Sequence, residues 1–268
     1  MNNSVLIEIC VDSVESALAA ERGGAQRIEL CGDLLEGGTT PSAGLIGTVR
    51  EKVGIGLHVI VRPRGGDFCY TADEFESMKR DVLTAKQLGA DGVVFGILKE
   101  DGQVDTARTR GLVELAHPLS TTFHRAFDMS ADLTQALEDV LHAGVRRVLT
   151  SGGGQYAEDG VKAIATLVAS AKNRIAVMVG GGIRETNVRR IIAATGAREI
   201  HANVGRSIAS PMLYRNRKIS LGAIKGREYQ RLVVLDDQVR RLLDAASNGV
   251  PAVAAESVVP RRAKRPRS

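Results

Sequence analysis

A four-residue phrase occurs twice near the N-terminus, Ile7-Glu8-Ile9-Cys10 and Ile28-Glu29-Leu30-Cys31. Each copy reads as the end of a buried parallel strand, and the residues between them suffice for one helix and two tight connections. Side chains alternate along a strand, so Glu8 shares a face with Cys10, and Glu29 shares one with Cys31. Neighbouring strands run roughly 4.8 Å apart, close enough for the two sulfurs to meet one soft metal ion. Thiolates select Cu(I), which accepts two ligands where Zn(II) seldom does. Two cysteines without a helper ligand therefore suit cuprous ion better than zinc. The plainer reading is that a buried cysteine packs as a small hydrophobe.

A second group could do acid-base work. Glu8, Glu29, His58, Arg62, Asp67, His124, Arg125 and Asp128 all fall in or just beyond strand-like stretches. In that arrangement His124 carries a proton, Arg62 and Arg125 anchor an anion, and Glu8 or Glu29 serves as the base. The alternative is a salt-bridge network, since a glutamate facing a core is costly unless paired. A third group is the glycine run at 180–182 with Val204, Gly205 and Arg206. Amides at Gly181 and Gly205 would cradle a phosphate or carboxylate, unless the glycines serve only tight strand-to-helix packing. Cys69 stands apart from the other cysteines, His117 and His142 read as surface residues, and His201 alternates with Ile200 so that it enters the same mouth.

These residues need a scaffold that delivers them to one place. The chain has 268 residues, 44% hydrophobic and 25% charged, as a soluble globular protein does. Aromatics are only 3% with no Trp, against an aromatic-lined sugar or nucleic-acid groove. No run of about 18 apolar residues and no basic, apolar leader is present, so neither a membrane span nor a signal peptide is expected. The expected location is the cytoplasm, where three unpaired cysteines stay reduced and free to bind metal. From Gly249 onward, five bases and one acid carry +4 of the total formal charge of +5, which leaves the body nearly neutral. This tail lacks a helical pattern and reads as a disordered basic extension. Nucleic-acid binding through it would show steep salt dependence lost on its deletion.

Apolar runs at 6–10, 27–31, 57–62, 92–95, 121–124, 147–150, 174–179 and 199–202 read as strands. Amphipathic stretches follow each, and a last helix is expected over 228–245. Eight strand-helix units without a break in composition imply right-handed crossovers and one parallel (β/α)8 TIM barrel over 1–248, with the tail at 249–268. A doubly wound open sheet would need fewer strands or a second domain. Polar residues gather after the strands, where the chemistry of a barrel sits. Adjacent strands of a barrel feed alternate side-chain layers, however, so the two sulfurs could be offset along its axis.

The phrases at 6–16, 27–41, 62–67, 91–96, 122–128, 148–152 and 180–183, including RPRGGDF and TFHRAFDM, resemble the copper homeostasis protein CutC family over about residues 5–205. The resemblance implies a cytoplasmic (β/α)8 barrel with a role in copper handling. It also implies cuprous-ion binding through residues that match Cys10 and Cys31. Val179 replaces the proline usual before the glycines, the wording at 203–207 differs, and the basic tail has no counterpart. The sequence thus predicts a Cu(I) protein. The alternative is a barrel enzyme on a phosphorylated or carboxylated small anion, with Glu8, Glu29 and His124 as catalytic candidates and Arg62, Asp67, Arg125, Asp128, Gly181 and Gly205 binding the substrate. No nucleotide cofactor or membrane partner is indicated, and a second copy of the chain is a further candidate partner.

Overall fold

The eight apolar runs form eight parallel strands, each hydrogen-bonded to the next, and the first pairs with the last to close the ring. In this computed structural model, residues 5–221 and 224–247 are described. The order is β1 (Leu6–Val11), α1 (Val14–Arg22), β2 (Arg27–Leu30), α2 (Ala43–Lys52), β3 (Gly56–Ile60), α3 (Ala72–Gln87), β4 (Gly92–Phe95) and α4 (Thr106–Ala116). It continues with β5 (Ser120–Phe123), α5 (Leu133–His142), β6 (Arg147–Thr150), α6 (Val161–Ala171), β7 (Ala176–Val179), α7 (Val188–Thr195) and β8 (Glu199–Ala202). A two-stranded ribbon of β9 (Arg206–Ala209) and β10 (Gln230–Val233) precedes α8 (Asp236–Ser247). This is the expected (β/α)8 barrel. The basic tail lies outside the described residues.

Local chemistry sets the helix starts. Ser13 accepts from the Ser16 amide, Asp132 accepts from Thr134 and Gln135, and Thr71 with Glu74 forms a reciprocal capping box. Outward residues such as Ile7, Ile9, Ile28, Leu30, Val59 and Val93 are buried against the helices and form the main apolar core. The inward face is different. Glu8, Arg27, Glu29, His58, Thr122 and His124 are all buried, so the barrel interior is largely polar where such a fold usually packs branched aliphatic chains. Large inward side chains require small neighbours on β4 and just beyond it. A Cβ on Gly92 would stand 2.5 Å from the His58 ring, and one on Gly96 would stand 2.6 Å from the His124 ring.

The expected helix over 228–245 is corrected in its first third. Residues Gln230–Val233 pair antiparallel with Arg206–Ala209, and the helix begins only at Asp236. The apolar spacing of Leu232, Val233, Leu235 and Val239 suits a helix, but the β9 ladder offers backbone partners that this spacing does not reveal. The Ser16 hydroxyl accepts the Val234 amide and holds the turn into α8. Helix α7 begins only at Val188. The side chain of Asn187 accepts from the Arg184 amide and donates to the Gly182 carbonyl, which fixes the preceding residues as a turn.

Candidate metal centre and the chamber above it

Strand register places Glu8 between Arg27 on β2 and His201 on β8, and Cys10 opposite Glu29. Below the site lies an ionic floor. Arg27 donates to Glu8 at 2.5 Å and to Glu199 at 2.6 Å, and Arg147 donates to Glu199 at 2.5 Å. Glu8 has no exposed surface. Burial alone would raise its pKa, yet the hydrogen bond from His201 and the charge of Arg27 hold it ionised, far below the usual carboxylate range. The Nδ1 of His58 approaches Glu8 to 3.7 Å, and burial pushes the His58 imidazole down to about 4.

Above the floor, Cys10 Sγ and Cys31 Sγ stand 3.7 Å apart, and Glu29 Oε2 is 3.5 Å from Cys31 Sγ. Both thiols are buried and unbridged, the separation being far beyond a disulfide bond of about 2.05 Å. The hydrogen bond from Cys31 pulls the Cys10 thiol down to about 6 against its burial, with His201 acting in the same sense. The Cys31 thiol is pushed well above its ordinary value, first by that donation to Cys10 and then by burial. Burial pushes Glu29 up to about 8. Desolvation opposes charge on His201, but Glu29, Cys10 and Glu8 overcome it and hold the imidazole protonated well above its ordinary range. Ligand atoms of Cys10, Glu29 and Cys31 all lie within 4.8 Å of one another, as do those of Glu8, Glu29 and His201. A Cβ on Gly38, whose φ is +92°, would come within 3.2 Å of Cys31 Sγ, so only glycine lets the β2–α2 loop close over that thiol.

A chamber of about 570 Å3 opens over this centre at the C-terminal ends of the strands, with Cys10, Glu29 and His201 at its lining. Arg62, His124, Arg125, Gly181 and Gly205 line it as well, whereas Glu8, Asp67 and Asp128 do not. Glu8 belongs to the floor, and Asp67 is an exposed loop residue tied to Arg64 and the Cys69 amide. Asp128 sits behind the wall. It accepts from Arg125 Nε, Thr150 and the Ser151 and Gly153 amides, and so shapes the β6 loop. Arg62 donates to the carbonyls of Glu36, Gly38 and Gly66 and gathers two loops at the rim. His124 Nδ1 accepts from the Ala126 amide, which places its proton on Nε2, where no acceptor lies among the described residues. Burial, reinforced by the charge of Arg62, pushes His124 down to about 3, so the imidazole is neutral. The Gly205 amide donates to Asn203 Oδ1 and is already occupied.

Sequence reasoning passed over Arg27, Arg147 and Glu199 in the floor, and Arg184 at the chamber. The alternation rule itself contains the first three. Arg27 has the parity of Glu29, Arg147 that of Leu149, and Glu199 that of His201.

Fold and site together define a closed (β/α)8 barrel that carries a buried thiol pair on an ionic floor toward the C-terminal ends of its strands. The chain belongs to the CutC family, which it matches over residues 5–206. It is 50% identical over 248 residues to the copper homeostasis protein cutC homolog of Mus musculus, covering 92% of this chain and 91% of the relative. A family protein CutC from Chromobacterium violaceum is 48% identical over 240 residues, covering 90% and 97%. The crystal structure of CutC from Streptococcus agalactiae superposes with a TM-score of 0.71 at 34% identity, covering 74% of this chain and 97% of that one. Among the described residues, no helix is long and apolar enough to cross a membrane.

Proposed function

We propose that the protein binds one Cu(I) ion through Cys10 and Cys31 and serves copper homeostasis in the cytoplasm. The observation that carries this reading is the 3.7 Å separation of two reduced, buried thiols. Two metal–thiolate bonds of about 2.3 Å span at most about 4.6 Å, so both sulfurs can share one ion. The spacing falls short of that limit and leaves room for a third donor, with the Glu29 carboxylate nearest. Thiolates take both Cu(I) and zinc, and a set of two sulfurs suits Cu(I), which accepts fewer ligands than the four that zinc usually takes. The depressed Cys10 thiol supplies a thiolate near neutral pH at little cost. The relatives named for copper homeostasis support the same assignment. Cys10 lines the chamber and Cys31 lies beneath a loop, so the ion enters from the chamber side.

The test is titration of fully reduced protein with cuprous ion against a competing chelator, repeated with Zn(II). One equivalent of Cu(I) should bind, and either Cys10→Ala or Cys31→Ala should abolish it. Unchanged Cu(I) affinity in both variants, or zinc held more tightly than Cu(I), would remove the assignment.

A further inference from the structure

The upper wall of the chamber holds an arrangement that the thiols do not use. The amides of Gly181, Gly182 and Ile183 donate to no acceptor among the described residues, although those on either side are satisfied. Gly180 donates to the Thr150 carbonyl and Arg184 to Asn187 Oδ1. The carbonyls of the same peptides are turned into the protein, Gly181 accepting from the Ala157 amide and Gly182 from the Asn187 side chain. In a trans peptide the N–H points opposite to the C=O. The Gly182 and Ile183 N–H groups therefore point away from those anchors, and all three residues line the chamber. The φ values of Gly181 and Gly182 are +99° and +70°, a backbone conformation that favours glycine and turns this stretch so that its amides stay outside the strand and helix ladders. A side chain is excluded at Gly182 and crowded at Gly181. A Cβ on Gly182 would stand 2.6 Å from the Tyr156 ring, and one on Gly181 would stand 3.2 Å from Ser151 Cβ.

Three arginines at the chamber outnumber its two carboxylates, Glu29 and Glu36, and this balance fits an anion. Among the described residues, three arginines line it and only Arg125 meets a carboxylate, that of Asp128. Arg184, directly after the three amides, donates only to the carbonyls of Ile183 and Asn203. Arg62 likewise meets only carbonyls, and His124 adds an Nε2–H without an acceptor; both side chains are more than nine-tenths buried. A buried guanidinium without a counter-ion is costly, and a ligand that brings negative charge recovers that cost.

We propose that the chamber binds a phosphorylated small molecule whose phosphate sits on the amides of Gly181, Gly182 and Ile183 beside Arg184. Three unpaired amides on one wall and one guanidinium match the several oxygens and double charge of a phosphate better than the two oxygens of a carboxylate. The volume of about 570 Å3 is that of a metabolite pocket. Leu34, Ile60 and Phe68 offer apolar surface to the body of the ligand. The site is independent of the thiol pair, because none of its donors is a sulfur or a neighbour of one in sequence.

The experiment is a titration of the full reduced chain with inorganic phosphate, followed by amide resonances, with acetate as the comparison anion. The Gly181, Gly182 and Ile183 amides should shift together on one saturable curve, and acetate should bind at least tenfold more weakly. Arg184→Met should weaken phosphate about tenfold, the loss of one charge-assisted contact worth about 1.4 kcal/mol. Arg184→Lys, which keeps the charge, should recover part of it, and the spectrum of each variant reports its fold. Amides that do not move, acetate bound as tightly as phosphate, or a folded Arg184→Met with an unchanged curve would each overturn the proposal.

Discussion

His201 Nδ1 donates to Glu8 Oε1 across 2.7 Å, from β8 to β1 at the seam where the barrel closes. The opposite edge of the same ring lies 3.7 Å from Glu29 Oε2, so one imidazolium joins the ionic floor to the thiol level. His201→Phe removes a cation from a fully buried carboxylate, and stability should fall by roughly 3–5 kcal/mol. As a neighbour that orients the ligand set, its loss should also weaken Cu(I) binding about 10–100-fold. Denaturant unfolding and chelator competition read the two effects separately. Lowered stability with unchanged Cu(I) affinity would confine His201 to the floor.

Arg27 holds Glu8 and Glu199 at once, at 2.5 and 2.6 Å. Arg27→Met leaves Glu8 buried with one cation fewer and should cost roughly 3–5 kcal/mol in urea unfolding. Adding Glu8→Gln removes the stranded charge and should return part of that loss. A double variant no more stable than Arg27→Met alone would mean that the arginine acts through packing and not through the carboxylate.

The bare inner surface of β4 should be equally sensitive. All three atoms nearest a Cβ built on Gly92 belong to the His58 ring, at 2.5, 2.6 and 2.8 Å. Gly92→Ala should therefore cost about 1–3 kcal/mol through overpacking. Combined with His58→Ala, the added methyl meets open space, and the two costs should fall short of additive by about 1 kcal/mol or more. Additive costs would show that the ring is not what excludes a side chain at residue 92.

Two neutral imidazoles make stability depend on acid. His58, beside Glu8, Arg27 and Arg147, is pushed down to about 4 by burial, and His124, facing Arg62 and Phe68, to about 3. Above their ordinary value of 6.5 neither folded nor unfolded chain protonates them. Between about 6.5 and those lowered values only the unfolded chain takes up the protons, so stability falls as pH falls. Each imidazole contributes a slope of up to about 1.4 kcal/mol per pH unit. Glu29, which keeps its proton up to about 8, opposes them with one slope of the same size above its ordinary 4.5. His124→Phe should flatten the profile by about one such slope between pH 4.5 and 6, as read from urea midpoints at successive pH values. An unaltered profile would show that His124 protonates as readily folded as unfolded.

Alternation along β1 and β2 is a local property, and it alone put Glu8 with Cys10 and Glu29 with Cys31 on inward faces. Eight apolar runs interleaved with amphipathic helices likewise implied the barrel, since each unit is stabilised by burying its own stripe. What alternation could not state is the offset between strands. The shear of the closed ring sets Cys10 beside Glu29 and not Cys31, yet leaves the sulfurs 3.7 Å apart. Closure also chose His201 as the partner of Glu8, a pairing across 193 residues that no local pattern encodes. The same holds for Arg62, an anion anchor by composition, whose donors meet carbonyls of loops that fold over it. It holds too for β10, where the partner strand and not the apolar spacing decided the conformation. Residue types and faces are written in neighbouring positions, whereas distances, partners and protonation depend on which remote groups the closed barrel brings into a medium of low dielectric constant.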